Sequence, residues 1–300
     1  MARDASKTSD AVELGIVSRR RPDSEKLIRM GEAISIEREG KVAHVVLQGP
    51  GKGNAMGPEF WRECPEIFAG LDADPTVAVI IVRGKGEHFS YGLDLMRMAQ
   101  DLGSLIAGPQ MAAERKRLLA MIERMQLAFT NIERCRKPVI AAVAGWCIGG
   151  GVDMISAADI RLASRDARFS VREVKVGMVA DLGSLQRLPR IIGQGHTREL
   201  AFTGSNIDAQ RALRIGLVNE VYESSDALFA AARELANEIA GNSSLVVEGI
   251  KSVLNAVDAQ SVRAGLHEVA LYNAAFLQSN DLGEAFAAFA ERREPRYTGT

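Results

Sequence analysis

Residues 137–164 read KPVIAAVAGWCIGGGVDMISAADIRLAS, and this stretch decides the architecture. Val139 to Ala144 are apolar at every position, so a strand formed there is buried on both faces, as in a sheet covered by helices. The glycines Gly149, Gly150 and Gly151 then break the run before an apolar, helix-compatible segment that carries a single acid, Asp153. Glycine at such a break lets a ligand approach the main chain, and the free N–H groups of a following helix point back at that ligand. Donors of this kind can stabilise an oxyanion; the plainer role is a tight strand-to-helix turn with no ligand. The spacing matches neither the G-x-G-x-x-G dinucleotide fingerprint nor the G-x-x-x-x-G-K-[ST] phosphate loop.

Outward from this segment the pattern alternates between strands and helices. Residues 33–50, AISIEREGKVAHVVLQGP, predict a hairpin around Gly40, and 77–82, VAVIIV, predict a strand buried on both faces. Phe60, Trp61, Cys64, Ile67, Phe68 and Leu71 recur at helical spacing, with Pro65 expected to weaken or kink the helix. An amphipathic helix is predicted over 110–134, and further strands in DIRLAS and RFSV. This succession implies an α/β architecture. Three divisions follow: a polar extension over 1–31, a core over 32–222 that holds the site, and a separable helical region over 223–300 whose apolar faces suit packing on the core or on another subunit.

Composition excludes several classes of function. The chain of 300 residues is 47% hydrophobic and 25% charged, with a formal net charge of -1, so no global field draws it to nucleic acid or to an anionic membrane. The apolar stretch 138–152 is too short and too glycine-rich to span a bilayer. Cys64, Cys135 and Cys147 lack the spacing of a zinc site, and no metal is expected. Free cysteines, together with a leader holding Asp4, Asp10 and Glu13, point to a reducing compartment without import, and hence to the cytoplasm. His44, His88, His196 and His267 have no context for a Ser-His-Asp hydrolase.

Carboxylates carry the remaining chemistry. Asp153 lies in an apolar run, and Glu173 and Asp181 bracket the apolar stretch VKVGMVA, so these acids can share the interior. Desolvated acids that share a site have raised pKa values, which suits them to proton exchange with carbon acids. The plainer roles are ion pairs with Arg172, Lys175 or Arg187, and for Asp181 an N-cap of LGSLQRL. A second strand end, His88 to Leu95 (HFSYGLDL), offers further backbone donors, with Asp94 placed as a helix N-cap.

Taken together, HFSYGLDL, the segment 137–164, residues 169–193 (FSVREVKVGMVADLGSLQRLPRIIG), residues 199–221 and the closing FAERREPRY resemble the crotonase superfamily, the enoyl-CoA hydratases and isomerases. The element Asn54-Ala55-Met56 belongs to the same resemblance. It implies a spiral of ββα units, a C-terminal helical trimerisation region, and a homo-oligomer that is a trimer or a dimer of trimers. It also implies an acyl-CoA thioester substrate, with coenzyme A part of that substrate and no metal or redox cofactor. The thioester oxygen would be bound by the N–H groups of Leu93 and Gly150, with Gly151 a substitute, and Ala55, Tyr91, Gly92, Asp94 and Gly151 would line the substrate. A basic residue near Arg292 or Arg293 is the candidate for the coenzyme A phosphates.

Hydratase-like members carry glutamate at the positions of Asp153 and Glu173, and a small residue at that of Asp181. Aspartate at the first and an acid at the last are similar to the Δ3,5-Δ2,4-dienoyl-CoA isomerase branch. The resemblance therefore implies an isomerase with catalytic Asp153, Glu173 and Asp181. The alternatives are hydration of 2-enoyl-CoA by Asp153 and Glu173, and a non-catalytic RNA- or protein-binding homologue.

Overall fold

The computed structural model describes residues 29–106 and 111–296. Of the expected extension, 1–28 lie outside the described residues, and its end is already structured: β1 (Arg29–Met30) pairs antiparallel with β2 (Ile34–Glu39). The chain turns at Gly40 into β3 (Val42–Leu47), completing the predicted hairpin. α1 (Pro58–Ala73) runs through Pro65, because Phe60, Cys64, Ile67, Phe68 and Leu71 are all buried along one face and tertiary packing outweighs the local cost of the proline. β4 (Val79–Gly84) follows, then α2 (Leu95–Ile106), α3 (Ala112–Arg134) and β5 (Val139–Val143).

The glycine-rich break separates β6 (Trp146–Ile148) from α4 (Gly150–Ser156). Beyond it lie β7 (Ile160–Ser164), β8 (Arg168–Ser170), a 3-10 turn over Glu173–Val176, α5 (Ser184–Ile191) and α6 (Gly193–Thr203). The chain ends through β9 (Ile207–Asp208), α7 (Ala209–Arg214), β10 (Glu220–Tyr222), α8 (Ser225–Ala240), α9 (Ser244–Phe276) and α10 (Asn280–Glu291). Among the described residues a seven-stranded sheet has the order β1-β2-β3-β4-β5-β7-β10, parallel from β3 onward, and a three-stranded sheet has the order β6-β8-β9. No helix among the described residues is long and apolar enough to cross a membrane.

The all-apolar strands are buried on both faces, as the sequence predicts. Side chains alternate across a strand, so Ile80 and Val82 of β4 join the core formed with α1 and α3, while Val79 and Ile81 face the other way. That second face is covered by α8 through Leu228, Ala232, Ala236 and Ala240. The first helix after residue 223 therefore packs on the core, one of the two placements its apolar face suits; its alanines let a helix lie close on the sheet.

α9 packs on α3 around Leu118, Ile122 and Ala270, and Leu277 and Leu282 extend that cluster toward α10. Ion pairs between a buried lysine and a half-buried acid anchor it further, Lys251 to Asp159 at 2.6 Å and Lys137 to Glu248 at 2.5 Å. Its N-terminal half leaves Leu245, Val246, Ile250, Val253 and Leu254 exposed.

Candidate active site

Three segments converge at the glycine break. The N–H groups of Phe89 and Ser90 both donate to Trp146 O, at 3.1 and 3.0 Å, and Ile148 N–H returns a bond to Ser90 O at 2.9 Å. Residues 54–56 join from the other side: Asn54, in the left-handed region at φ 52, donates its amide to the carbonyls of Lys85, His88 and Phe89. A parallel bridge follows, in which Met56 N–H donates to Gly92 O at 2.7 Å and Asp94 N–H to Met56 O at 3.1 Å.

Because bonding alternates along an extended chain, this bridge turns the N–H of Leu93 away from Met56, and it has no backbone partner among the described residues. Gly150, the first residue of α4, likewise has no i−4 carbonyl of its own helix to bond. The two donors are neighbours: a Cβ built on Gly150 would lie 3.7 Å from Leu93 N. Such closeness depends on Gly92, at φ 77, where a Cβ would stand 2.5 Å from Ile148 O and 2.9 Å from Gly150 N. A paired set of free backbone donors at a helix start can hold an oxygen on which negative charge develops.

Asp153, on the first turn of α4, is only 1% exposed, and its Oδ1 accepts from Ser184 N–H at 2.6 Å. Its Oδ2 and the Oε2 of Glu173 are enclosed with no hydrogen-bond partner among the described residues, and the two carboxyls are near enough to shift each other's proton affinity. Glu173 opens the 3-10 turn and reaches back to the glycine break, where its Oε1 lies 3.2 Å from a Cβ built on Gly149, the residue before the Gly150 donor. Asp181 accepts from Asn273 Nδ2 of α9 at 2.7 Å through Oδ2, and its backbone carbonyl accepts from Gln126 Nε2 of α3 at 2.7 Å.

These surroundings make the acids weak. Burial pushes Glu173 well above the usual carboxylate range, and the negative charges of Asp153 and Asp181 push it further. Burial also raises Asp181, to about 7, with Asp153 adding to the shift and the Asn273 hydrogen bond opposing it. Asp153 is raised by burial, while the Ser184 bonds and the nearby Arg187 charge hold it down. Arg187 is paired with Glu133 at 3.0 Å, so it is not the salt-bridge partner of Glu173 or Asp181. The site thus keeps protons available near neutral pH, as proton transfer to and from carbon requires.

The enoyl-CoA hydratase/isomerase family matches residues 37–300. The chain belongs to that family. It is 45% identical over 85% of its length to the mitochondrial Δ3,5-Δ2,4-dienoyl-CoA isomerase of Dictyostelium discoideum, of which 86% is covered. Identity to the peroxisomal enzyme of that name from Arabidopsis thaliana is 42%, over 89% of this chain and 96% of that one. The mitochondrial human enzyme is 43% identical over 84% of this chain and 77% of its own. Among solved structures, the enoyl-CoA hydratase/isomerase of Pseudoalteromonas atlantica T6c superposes with a TM-score of 0.77 at 25% identity, over 89% of this chain and 100% of that one.

These relatives overturn the cytoplasmic expectation, since they are named mitochondrial or peroxisomal. The reason is chemical: free cysteines report a reducing environment, which the cytosol shares with other compartments, so they cannot single it out.

For this hydratase/isomerase family member the structure brings Leu93, Gly150, Asp153, Glu173 and Asp181 to one locality. The remaining residues singled out from the sequence hold the frame around it. Tyr91 stacks on His88 at 5.1 Å between centroids, Ala55 lies between Asn54 and Met56, and the missing side chain of Gly151 leaves room for Ser90 O and Cys147 Sγ. Asp94 is the N-cap of α2, accepting from Arg97 N–H at 3.1 Å. Asp181 does not cap α5; the cap is Gly183, at φ 126, and the carboxylate that serves the start of that helix is Asp153. Arg293 is held by Glu284 and Glu291.

Sequence reasoning missed Gln126 and Asn273. Both were visible as amides on apolar helix faces: Asn273 continues the buried spacing Leu266, Val269, Ala270 toward Leu277.

Proposed function

We propose that this protein converts 3,5-dienoyl-CoA to 2,4-dienoyl-CoA in fatty acid β-oxidation. The observation that carries the reading is a third carboxylate, the partly buried Asp181, next to the buried Asp153 and the partly buried Glu173. Moving two conjugated double bonds needs a proton taken at C2 and another delivered at C6, and one carboxyl cannot serve both ends.

The thioester oxygen accepts from Leu93 and Gly150 N–H, which meet the charge that develops as C2 loses its proton. Glu173, beside the Gly150 donor, is the base for C2, the carbon bonded to the thioester carbonyl. The C2–H bonding pair enters the conjugated system as a dienolate; electrons then shift to give C2=C3 and C4=C5, and C6 forms a bond to the proton of Asp181. Return of the proton from Glu173 to Asp181 restores the starting state. Substrate and product are isomers, so the step consumes no water and no net electrons; coenzyme A enters only within the substrate.

Asp153 orients Glu173 and keeps its proton affinity high. With Oδ1 committed to Ser184, it has one oxygen left for Glu173, which favours this role over joint activation of water in a hydratase. Three relatives at 42–45% identity named as dienoyl-CoA isomerases support the same choice, against 34% for a short-chain-enoyl-CoA hydratase of Clostridium acetobutylicum.

The same reading includes self-assembly into a trimer or a dimer of trimers, supported by the exposed apolar residues of α9, with sedimentation as its check. The activity test offers the purified protein a 3,5-dienoyl-CoA and, separately, a 2-enoyl-CoA, following ultraviolet absorbance. Formation of the 2,4-dienoyl chromophore is expected; hydration of the 2-enoyl-CoA without it would overturn the proposal.

A further inference from the structure

Asn273 is 2% exposed on α9, in the region after the catalytic core, and its amide makes two hydrogen bonds into the site. Nδ2 donates to Val179 O at 2.9 Å and to Asp181 Oδ2 at 2.7 Å. A backbone carbonyl only accepts, so Val179 fixes which end of the amide faces this way. Both N–H bonds of Nδ2 are then spent, and Asn273 can only donate to Asp181. A donor on Oδ2 favours the carboxylate form and leaves proton exchange to Oδ1.

Gln126 repeats the device from α3, with Nε2 donating to Asp181 O and to Leu266 O, at 2.7 and 3.0 Å. The segment that ends in Asp181 is thus held by one amide from each of two packed helices. Neither amide carries charge, so the clamp fixes position without neutralising the acid.

We infer that Asn273 is a positioning residue for Asp181, fixing which carboxylate oxygen exchanges a proton with the substrate and limiting how firmly the acid holds that proton. This rests on the isomerase reading above. The charged groups around Asp181 are Asp153 from α4 and Glu173 from the 3-10 turn, with Arg187 of α5 acting on Asp153. On α3 and α9, Glu133 is paired with Arg187, and Glu123 with the exposed His267 at 3.6 Å. Burial and the charge of Asp153 hold Asp181 up, and Asn273 opposes them.

The test measures kcat and KM for 3,5-dienoyl-CoA isomerisation against pH in the wild-type enzyme, Asn273→Leu and the isosteric Asn273→Asp. With the donor gone, the limb of the profile set by Asp181 moves to higher pH by about one unit, the scale of one charge-assisted hydrogen bond, while KM changes by less than about threefold. Asn273→Asp, which sets a second carboxyl against the first, moves it in the same direction. kcat at the wild-type optimum falls by about tenfold or more in both.

An unshifted profile in a folded variant would overturn the inference, as would loss of folded protein in both variants, which would make Asn273 a structural residue only. A wild-type enzyme that does not isomerise the dienoyl-CoA overturns the function proposed above instead, so the two failures are told apart.

Discussion

The oxyanion-binding half of the site and the acid half are held in different ways. Leu93 and Gly150 are placed by main-chain hydrogen bonds among segments 54–56, 88–94 and 146–150, and depend on positions where only glycine fits, such as Gly92. Asp153, Glu173 and Asp181 are placed by side-chain contacts reaching from α4 to α9, with few donors and no direct cation among the described residues. The first half tolerates little change of shape, and the second little change of charge. The difference follows from their work: donors must be aimed before charge appears, whereas acids must hold protons loosely enough to exchange them.

Breaking the donor half is the harshest test. Gly92→Ala would drive a Cβ between Ile148 O and Gly150 N, and kcat/KM is expected to fall by on the order of a hundredfold or more, with the protein still folded by circular dichroism. In the acid half, Glu173→Gln is expected to lower kcat by about 10²- to 10⁴-fold while leaving KM close to wild type, because the thioester is held by the donors. The two halves also separate by pH. Activity needs one proton between Glu173 and Asp181, so the profile is a bell with one limb near pH 7, both acids being protonated below the bell and both ionised above it.

Stability sharpens the contrast further. Asp181 binds a proton more tightly folded than unfolded, so its contribution is most favourable at low pH and declines as pH rises from the usual carboxylate range through about 7. Asp181→Asn is therefore expected to stabilise the protein at pH 8 by roughly 1–3 kcal/mol in thermal unfolding, whereas Gly92→Ala destabilises it. The smallest effect is at the edge of the donor half: Asp94→Ala keeps the main-chain bond to Met56, removes only the side-chain cap of α2, and costs about 1 kcal/mol.

The donor half was the more legible in the sequence. Gly149, Gly150 and Gly151 after an apolar strand announce a chain reversal that begins a helix, and the HFSYGLDL segment supplies its partner, because backbone constraints are written locally. The acid half was legible as residue types but not as contacts. That Asp153 rather than Asp181 serves the start of α5, and that Asn273 lies 92 positions from Asp181 and still bonds to it, follow from tertiary packing that no local pattern encodes. The cover of α8 on the sheet was legible only as one of two placements, since an alanine-rich stripe packs equally well on a sheet or on another helix.

The central claim is that Glu173 and Asp181 serve opposite ends of the dienoyl unit, and it is tested most directly by incubating Asp181→Asn with a 3,5-dienoyl-CoA in deuterium oxide and following the substrate by proton NMR. The account predicts that deuterium enters at C2, through Glu173 and the intact donors, while no 2,4-dienoyl-CoA forms. Isomerisation at the wild-type rate, or loss of C2 exchange together with isomerisation in a folded protein, would contradict it.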